Sequence, residues 1–292
     1  MAITAELNAM RLAIALSGLG VGSTSPNPPV GCVILDTRGE VVGTGFHRRK
    51  GEAHAEALAL AAAGERATGG TALVTLEPCN HQGLTPPCHQ SLIDAGIVRV
   101  VIAVLDPTSR GEGGAARLRE AGISVEVGVL TDEAQLVLRP WLRALETRRP
   151  HVVWARHVGR EETIVPDELL ALSGLTSGVD AILRADGSVY EAVPGSHGPG
   201  AFSIPEHPKG ADATSVLASL FDGGTRSVVL HGGTRLAGPF LDAGQVDEVF
   251  AFLASDDAVT GSGLAPAAPG FRLREVRRLP GAVLLVAVPE LN

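Results

Sequence analysis

The feature that most constrains this chain is a set of four side chains: His54 and Glu56 in Gly51-Glu-Ala-His-Ala-Glu56, Cys79 after Pro78, and Cys88 after Pro87. They offer one imidazole and two thiolates, with a carboxylate beside the first ligand. Three protein ligands leave the fourth position of a tetrahedral zinc open to water, the catalytic rather than the structural arrangement. Zinc lowers the pKa of such a water towards about 7, and Glu56 is placed to take its proton and pass it on. The third cysteine is Cys32. Three cysteines cannot build a disulfide framework, and two clustered with a histidine point to metal before they point to a bridge. Two other readings stay open. A closed zinc knuckle would need a fourth ligand, for which His47, His81 and His89 are near in sequence; without metal, Cys79 and Cys88 are buried thiols.

Around these residues the pattern alternates between strand and helix. Leu7, Met10, Leu12, Ala13 and Leu16 recur at helical spacing and stop at Gly18 to Gly20, which predicts an opening helix over 3–19. Pro29 to Leu35 and Val41 to Phe46 are short β-branched runs separated by Asp36-Thr-Arg-Gly39, a hairpin. A helix over 53–63, strand 71–76, helix 87–95, strand 98–104, helix 115–121 and strand 123–127 follow, which implies a central sheet with helices on both faces. Residues 131–148 read as a capped helix interrupted by Pro140. A new strand starts at His151, so the spacing predicts two domains, 1–148 and 149–292. In the second, strands are expected at 181–183, 227–230, 248–253 and 281–288 with helices between them. The Gly- and Pro-rich stretch from Gly187 to Gly210 reads as a long loop.

Composition narrows the partners. Aromatic residues make up 3% of the chain and the formal net charge is −8, so neither stacking platforms nor a phosphate-neutralising face for nucleic acid is expected. No apolar run approaches the roughly 20 residues of a membrane helix. Met1 is followed by Ala-Ile-Thr-Ala-Glu6 with no basic stretch and apolar core, so a cytoplasmic protein without a leader is expected. The partner that fits is a small molecule, and a homodimer or higher homo-oligomer is the expected assembly.

His-x-Glu followed by Pro-Cys-x-x-Cys is the signature of zinc nucleobase deaminases; here Asn80 to Pro87 replaces the two residues between the cysteines. The chain resembles the bifunctional riboflavin-biosynthesis pyrimidine deaminase/reductase family. Matching segments are Ser25-Pro-Asn-Pro-Pro-Val-Gly-Cys32, Gly43-Thr-Gly-Phe-His47, Gly51 to Glu56, Thr75-Leu-Glu-Pro-Cys-Asn-His81, Thr85-Pro-Pro-Cys88, Asp106-Pro107 and Ala121-Gly-Ile123, over about half the chain. The resemblance implies a cytidine-deaminase-like three-layer α/β/α domain followed by a shortened dihydrofolate-reductase-like α/β domain. It also implies zinc-dependent hydrolysis of the 2-amino group of a ribosylaminopyrimidinone 5′-phosphate, with release of ammonia. By the same resemblance Asn27 and His47 hold the substrate and His81 lines the pocket. Taken on their own, Asn27 is equally a turn residue between Pro26 and Pro28, His47 is equally a structural imidazole, and Cys32 in its strand-like run is a core thiol.

Two departures bear on substrate and on the second domain. Leu84 stands where the family carries a cation after Gly83, and a leucine cannot neutralise a phosphate. Arg48, Arg49, Lys50 or Arg110 could stand in, although such a run also reads as a solvated face. The expectation is a substrate that is unphosphorylated or held at its phosphate differently, which leaves open a deaminase acting on a related pyrimidine in a specialised pathway. In the second domain His231 replaces a family glutamate before Gly232-Gly233, Trp154-Ala-Arg-His-Val-Gly-Arg160 replaces a lysine-containing segment, and the middle is shortened. Little or no NADPH-dependent reduction is expected. The rival from another class is a catalytically idle zinc protein with a binding module, against which the intact Glu56 argues.

Overall fold

A computed structural model describes residues 2–81, 86–109, 111–158, 164–198, 203, 212–254 and 268–290. The chain forms two compact units, 1–139 and 140–292.

The first unit is a five-stranded sheet in the order β2-β1-β3-β4-β5. Its strands are β1 (Gly31–Leu35), β2 (Val41–Phe46), β3 (Thr71–Leu76), β4 (Arg99–Val104) and β5 (Ser124–Val127). β1 pairs antiparallel with β2 and β3, and the ladder from β3 to β5 is parallel. Every residue of β1 is buried, as expected of a strand covered on both faces. Val33, Leu35, Leu73 and Val101 pack under Met10 and Ala13 of α1 (Thr4–Gly18). Cys32, Ile34, Val74 and Ile102 turn to the opposite face, against α2 (Ala55–Ala63), α3 (Cys88–Asp94) and α4 (Gly113–Glu120). The period-two alternation of the strands thus sorts one hydrophobic run into two cores.

α2 lies unusually close to β2. A Cβ added at Gly43 would overlap the Ala59 carbonyl oxygen, and one at Gly45 would overlap that of Ala55. Those two glycines therefore set the height of α2 over the sheet, and with it the height of the residues at its N-terminus.

α5 (Thr131–Thr147) runs unbroken through Pro140, and the division between the units falls within it. The interruption expected there does not occur. Proline removes one helical N–H and costs about 3 kcal/mol or more in a helix interior, but Ala134, Leu138, Trp141 and Ala144 form a buried stripe on both sides of it. Continuous burial outweighs the local penalty.

The second unit is a seven-stranded sheet in the order β11-β12-β10-β6-β9-β7-β8. β6 (His151–His157), β7 (Ala181–Arg184), β9 (Ser227–His231) and β10 (Glu248–Ala254) form its parallel centre. β8 (Val189–Glu191), β11 (Phe271–Leu279) and β12 (Ala282–Pro289) flank it in antiparallel pairing. α7 (Ala213–Asp222) and α8 (Thr234–Asp242) contribute to one core, with Trp154 and Leu230, and α6 (Asp167–Leu172) to the other, with Phe250 and Phe252. Two strands differ from expectation. β8 occupies part of the stretch read as a loop, and β11 stands where only helices were expected between strands. β11 carries four arginines in nine residues and leaves Leu273 and Val276 exposed; an edge strand needs no buried stripe on either face, so its sequence lacks the signal of a core strand.

Candidate metal centre and active site

His54 is the residue before α2, with an extended backbone and no capping hydrogen bond from its side chain. Its ring is therefore free to turn towards Cys79, three residues beyond β3, and Cys88, the first residue of α3. His54 Nδ1 lies 3.2 Å from Cys88 Sγ and 3.6 Å from Cys79 Sγ, and the Cys88 backbone N–H donates to Cys79 Sγ over 3.3 Å. The three ligand atoms all lie within 4.8 Å of one another. Ligand atoms around a tetrahedral zinc, at about 2.3 Å for sulfur and 2.0–2.1 Å for nitrogen, are separated by roughly 3.5–3.8 Å. Both the donor chemistry and the spacing fit zinc.

The local electrostatics suit a cation. The Cys79 thiol is held down to about 4, first by the Cys88 S–H that donates to it, with burial opposing and His54 assisting. Cys88 is pushed upward by the same shared proton and by burial. Hydrogen bonding to Cys79 raises the His54 imidazole. A divalent cation would satisfy all three groups together.

Glu56 sits in the first turn of α2, buried beside the sulfurs, and burial is the main reason its carboxyl is pushed up to about 7. A carboxyl poised there exchanges a proton readily near neutrality.

His47 follows β2 and is 3% exposed. Its Nδ1 is 3.2 Å from the Ala53 carbonyl oxygen and its Nε2 is 3.2 Å from Asn27 Nδ2. A carbonyl can only accept, so Nδ1 carries the proton and Nε2 accepts from the Asn27 amide. Burial lowers the His47 pKa and keeps the ring neutral. Its ring is 5.3 Å from that of His54, edge to face. With both nitrogens committed, His47 is not a fourth ligand. His89 Nδ1 donates to the Cys79 carbonyl over 3.1 Å, a support for Cys79 that sequence reading assigned only as an alternative ligand. Among the described residues the metal-competent group contains His54, Cys79 and Cys88 and no fourth member.

The structure thus brings together His54, Glu56, Cys79, Cys88, His47 and Asn27. His81 is exposed at the edge of the described chain. Leu84 and Arg110 lie outside the described residues, as do Arg160 and most of the stretch from 199 to 211. Arg49 pairs with Glu52 at 3.1 Å on the surface, and Arg48 stacks over the Phe46 ring at 5.8 Å. Cys32 is wholly buried in β1, and burial drives its thiol well upward, so it is inert packing.

Residues 4–104 match the cytidine and deoxycytidylate deaminase zinc-binding region, and zinc is the cofactor. The chain is 36% identical over 286 residues to the riboflavin biosynthesis protein RibD of Mycobacterium tuberculosis, covering 84% of each. It is 48% identical over 142 residues to the diaminohydroxyphosphoribosylamino-pyrimidine deaminase of Buchnera aphidicola, covering 48% of this chain and 96% of that one. Its fold superposes on the deaminase/reductase of Thermotoga maritima with a TM-score of 0.78, at 25% identity, over 98% of this chain and 99% of that one.

Proposed function

The chain belongs to the RibD family of riboflavin-biosynthesis proteins, and from that premise we propose that His54, Cys79 and Cys88 hold zinc while Glu56 carries protons in the hydrolytic deamination of an aminopyrimidine nucleoside or nucleotide. The convergence of one imidazole nitrogen and two sulfurs within 4.8 Å, beside a buried carboxyl, carries this reading. Zinc, when bound, supplies a Lewis acid that makes water nucleophilic near neutral pH.

The rest falls to the chain's own side chains. Glu56 takes one proton of the attacking water and delivers it to the ring nitrogen, then takes the remaining hydroxyl proton of the adduct and delivers it to the leaving amine, so that the C–N bond breaks, the carbonyl forms and ammonia departs. The neutral His47 holds Asn27 through one amide hydrogen. That leaves Asn27 with a second N–H and a carbonyl oxygen to meet a ribose or pyrimidine edge. His81, at the rim, completes the contacts. Glu56 and its buried surroundings speak against the idle-zinc reading, since a structural site has no use for the carboxyl.

The substrate is the diaminohydroxyphosphoribosylaminopyrimidine of the riboflavin pathway or a close relative that is unphosphorylated or held differently at its phosphate. Leu84 supports the second form, as does the surface pairing of Arg49. Ammonia release from the nucleoside compared with its 5′-phosphate tests this; a strong preference for the phosphate sinks it.

Residues 149–292 form a shortened reductase-like domain with little or no reductase activity. Trp154, midway along β6, donates through Nε1 to the Gly232 carbonyl over 3.0 Å, and His231, the last residue of β9, bonds the Val165 carbonyl through Nε2 over 2.7 Å. Both side chains are 1% exposed and serve the protein's own backbone, which supports a packing role. NADPH oxidation in the presence of the deaminated pyrimidine would overturn it. No described helix is long and apolar enough to cross a membrane, in line with a cytoplasmic enzyme. The exposed Leu273 and Val276 of edge strand β11 support a homodimer or higher homo-oligomer, which sedimentation tests.

A further inference from the structure

Glu77 is the residue that follows β3, two before Cys79, and the proposed chemistry gives it no part. Its carboxylate is 6% exposed and accepts three hydrogen bonds from the described residues. The Ala115 N–H donates to Oε1 over 2.9 Å; the Asp106 N–H and the Ser109 hydroxyl donate to Oε2 over 3.2 and 3.0 Å. Ala115 lies in the first turn of α4, whose own preceding residue, Glu112, makes no side-chain cap. Glu77 therefore caps a helix from another part of the chain, where a negative charge also meets the positive end of the helix dipole.

The contact is tight because the start of α4 carries no side chains there. A Cβ at Gly113 would overlap Glu77 Oε1, and one at Gly114 would overlap the Pro78 carbonyl oxygen. Glu77 and Pro78 are thus clamped against α4 and the 106–109 turn. The Glu77 N–H donates to the Val104 carbonyl over 2.9 Å, continuing the β3–β4 ladder. Cys79 emerges directly from this clamped segment, and its own carbonyl is held by the His89 backbone N–H and Nδ1, at 3.3 and 3.1 Å. The sulfur has little freedom left beyond its own rotamer.

We propose that Glu77 is a positioning residue for the metal centre: by anchoring Pro78 to α4 it fixes Cys79 Sγ where His54 and Cys88 converge. The proposal rests on Cys79 being a zinc ligand. Supports of this kind change metal affinity by about 10–100-fold when removed. Glutamine at position 77 can still accept from Ala115, but its amide N–H₂ confronts the Asp106 N–H.

The test measures zinc affinity of the full chain by competition with a chromogenic chelator, alongside kcat, KM and the melting temperature of the zinc-free chain. One zinc per wild-type chain, lost in Cys79→Ser, secures the premise; no such zinc defeats the premise, whatever Glu77 does. Glu77→Gln is expected to weaken zinc by about 10–100-fold and to lower kcat with KM little changed, and Glu77→Asp to recover part of the affinity. Leu118→Ala, which empties a fully buried site on α4, is the structural control: it should lower the melting temperature and leave zinc affinity unchanged. Wild-type affinity in Glu77→Gln, or an equal loss of affinity in Leu118→Ala, overturns the proposal. Should Glu77→Gln fail to fold, Ser109→Ala removes a single donor, and unaltered zinc affinity there overturns it equally.

Discussion

His54 Nδ1 stands 3.2 Å from Cys88 Sγ, so the residue before one helix and the first residue of another meet through their side chains. With Cys79, three polar groups that would otherwise share protons in a largely buried site are satisfied by one cation. At a zinc concentration 100-fold above Kd the ligand stabilises the folded chain by about 2.7 kcal/mol. For a protein of this size that is a rise of roughly 5–10 °C in melting temperature. Calorimetry with and without a chelator should show it, and Cys88→Ala should abolish the difference.

Glu56→Gln separates metal binding from proton transfer. The amide is nearly isosteric and fits the same buried place, but it cannot take up a proton. Zinc content should stay at the wild-type level while kcat falls by at least about 10²–10⁴-fold, the usual weight of a general base. Turnover near the wild-type rate would remove Glu56 from the mechanism.

What could be read from the sequence follows from how each residue carries its signal. β1 is a fully buried apolar run, β3 is buried beyond its first residue, Thr71, and α2 begins where Ala-rich periodicity begins, so the first unit's order of elements is plain in the chain. The meeting of His54, Cys79 and Cys88 is visible because thiolates and imidazole at those positions have few other uses. Glu77 was hidden: its partners are the Asp106 and Ala115 backbone N–H groups and Ser109, and a backbone donor has no sequence signature. A charged residue at the end of an apolar strand was the one available hint. β11 escaped because an exposed edge strand rich in arginine has neither alternation nor apolar run, and Pro140 misled because a local penalty was weighed without the buried stripe around it.

A pH dependence should arise in the second unit. His197 Nε2 lies 3.1 Å from Asp180 Oδ1, and its Nδ1 lies 2.7 Å from Glu191 Oε1. Burial pulls the His197 pKa down, but the two carboxylates outweigh it and the net shift is upward from 6.5. Glu191 is held down to about 2: burial opposes the shift, and hydrogen bonds from the His197 and Gly195 backbone and from the His197 and Ser196 side chains outweigh it. A raised histidine stabilises below its unfolded value and loses that contribution as pH rises through its folded value. A depressed carboxylate stabilises above its unfolded value of 4.5 and loses that contribution as pH falls towards 2. This cluster therefore stabilises most between about 4.5 and 6.5. Melting temperature should decline from pH 6.5 upward, and His197→Gln should flatten that limb. An unchanged slope in the variant would assign the decline to other groups.

Gly45 tests whether the height of α2 matters to the site. Alanine there would push its methyl into the Ala55 carbonyl oxygen, with Leu58 Cβ and the Ala59 nitrogen also within 3 Å. Helix and strand must separate, and overpacking of this kind costs about 1–3 kcal/mol. The first turn of α2 carries Glu56, and His54 directly precedes it, so the displacement falls on the two groups that must meet zinc and substrate. A 1 Å misplacement can cost about 10²-fold in rate. Gly45→Ala is therefore expected to lose activity well beyond what its loss of stability explains, at temperatures where it is fully folded. Gly18→Ala is the control: nothing lies within 4 Å of its added methyl at the end of α1, and alanine favours a helix over glycine by roughly 0.5–1 kcal/mol, so activity should hold and stability should hold or rise. Full activity in folded Gly45→Ala would show that the site tolerates a shift of α2, and that zinc rather than helix packing sets the geometry of His54.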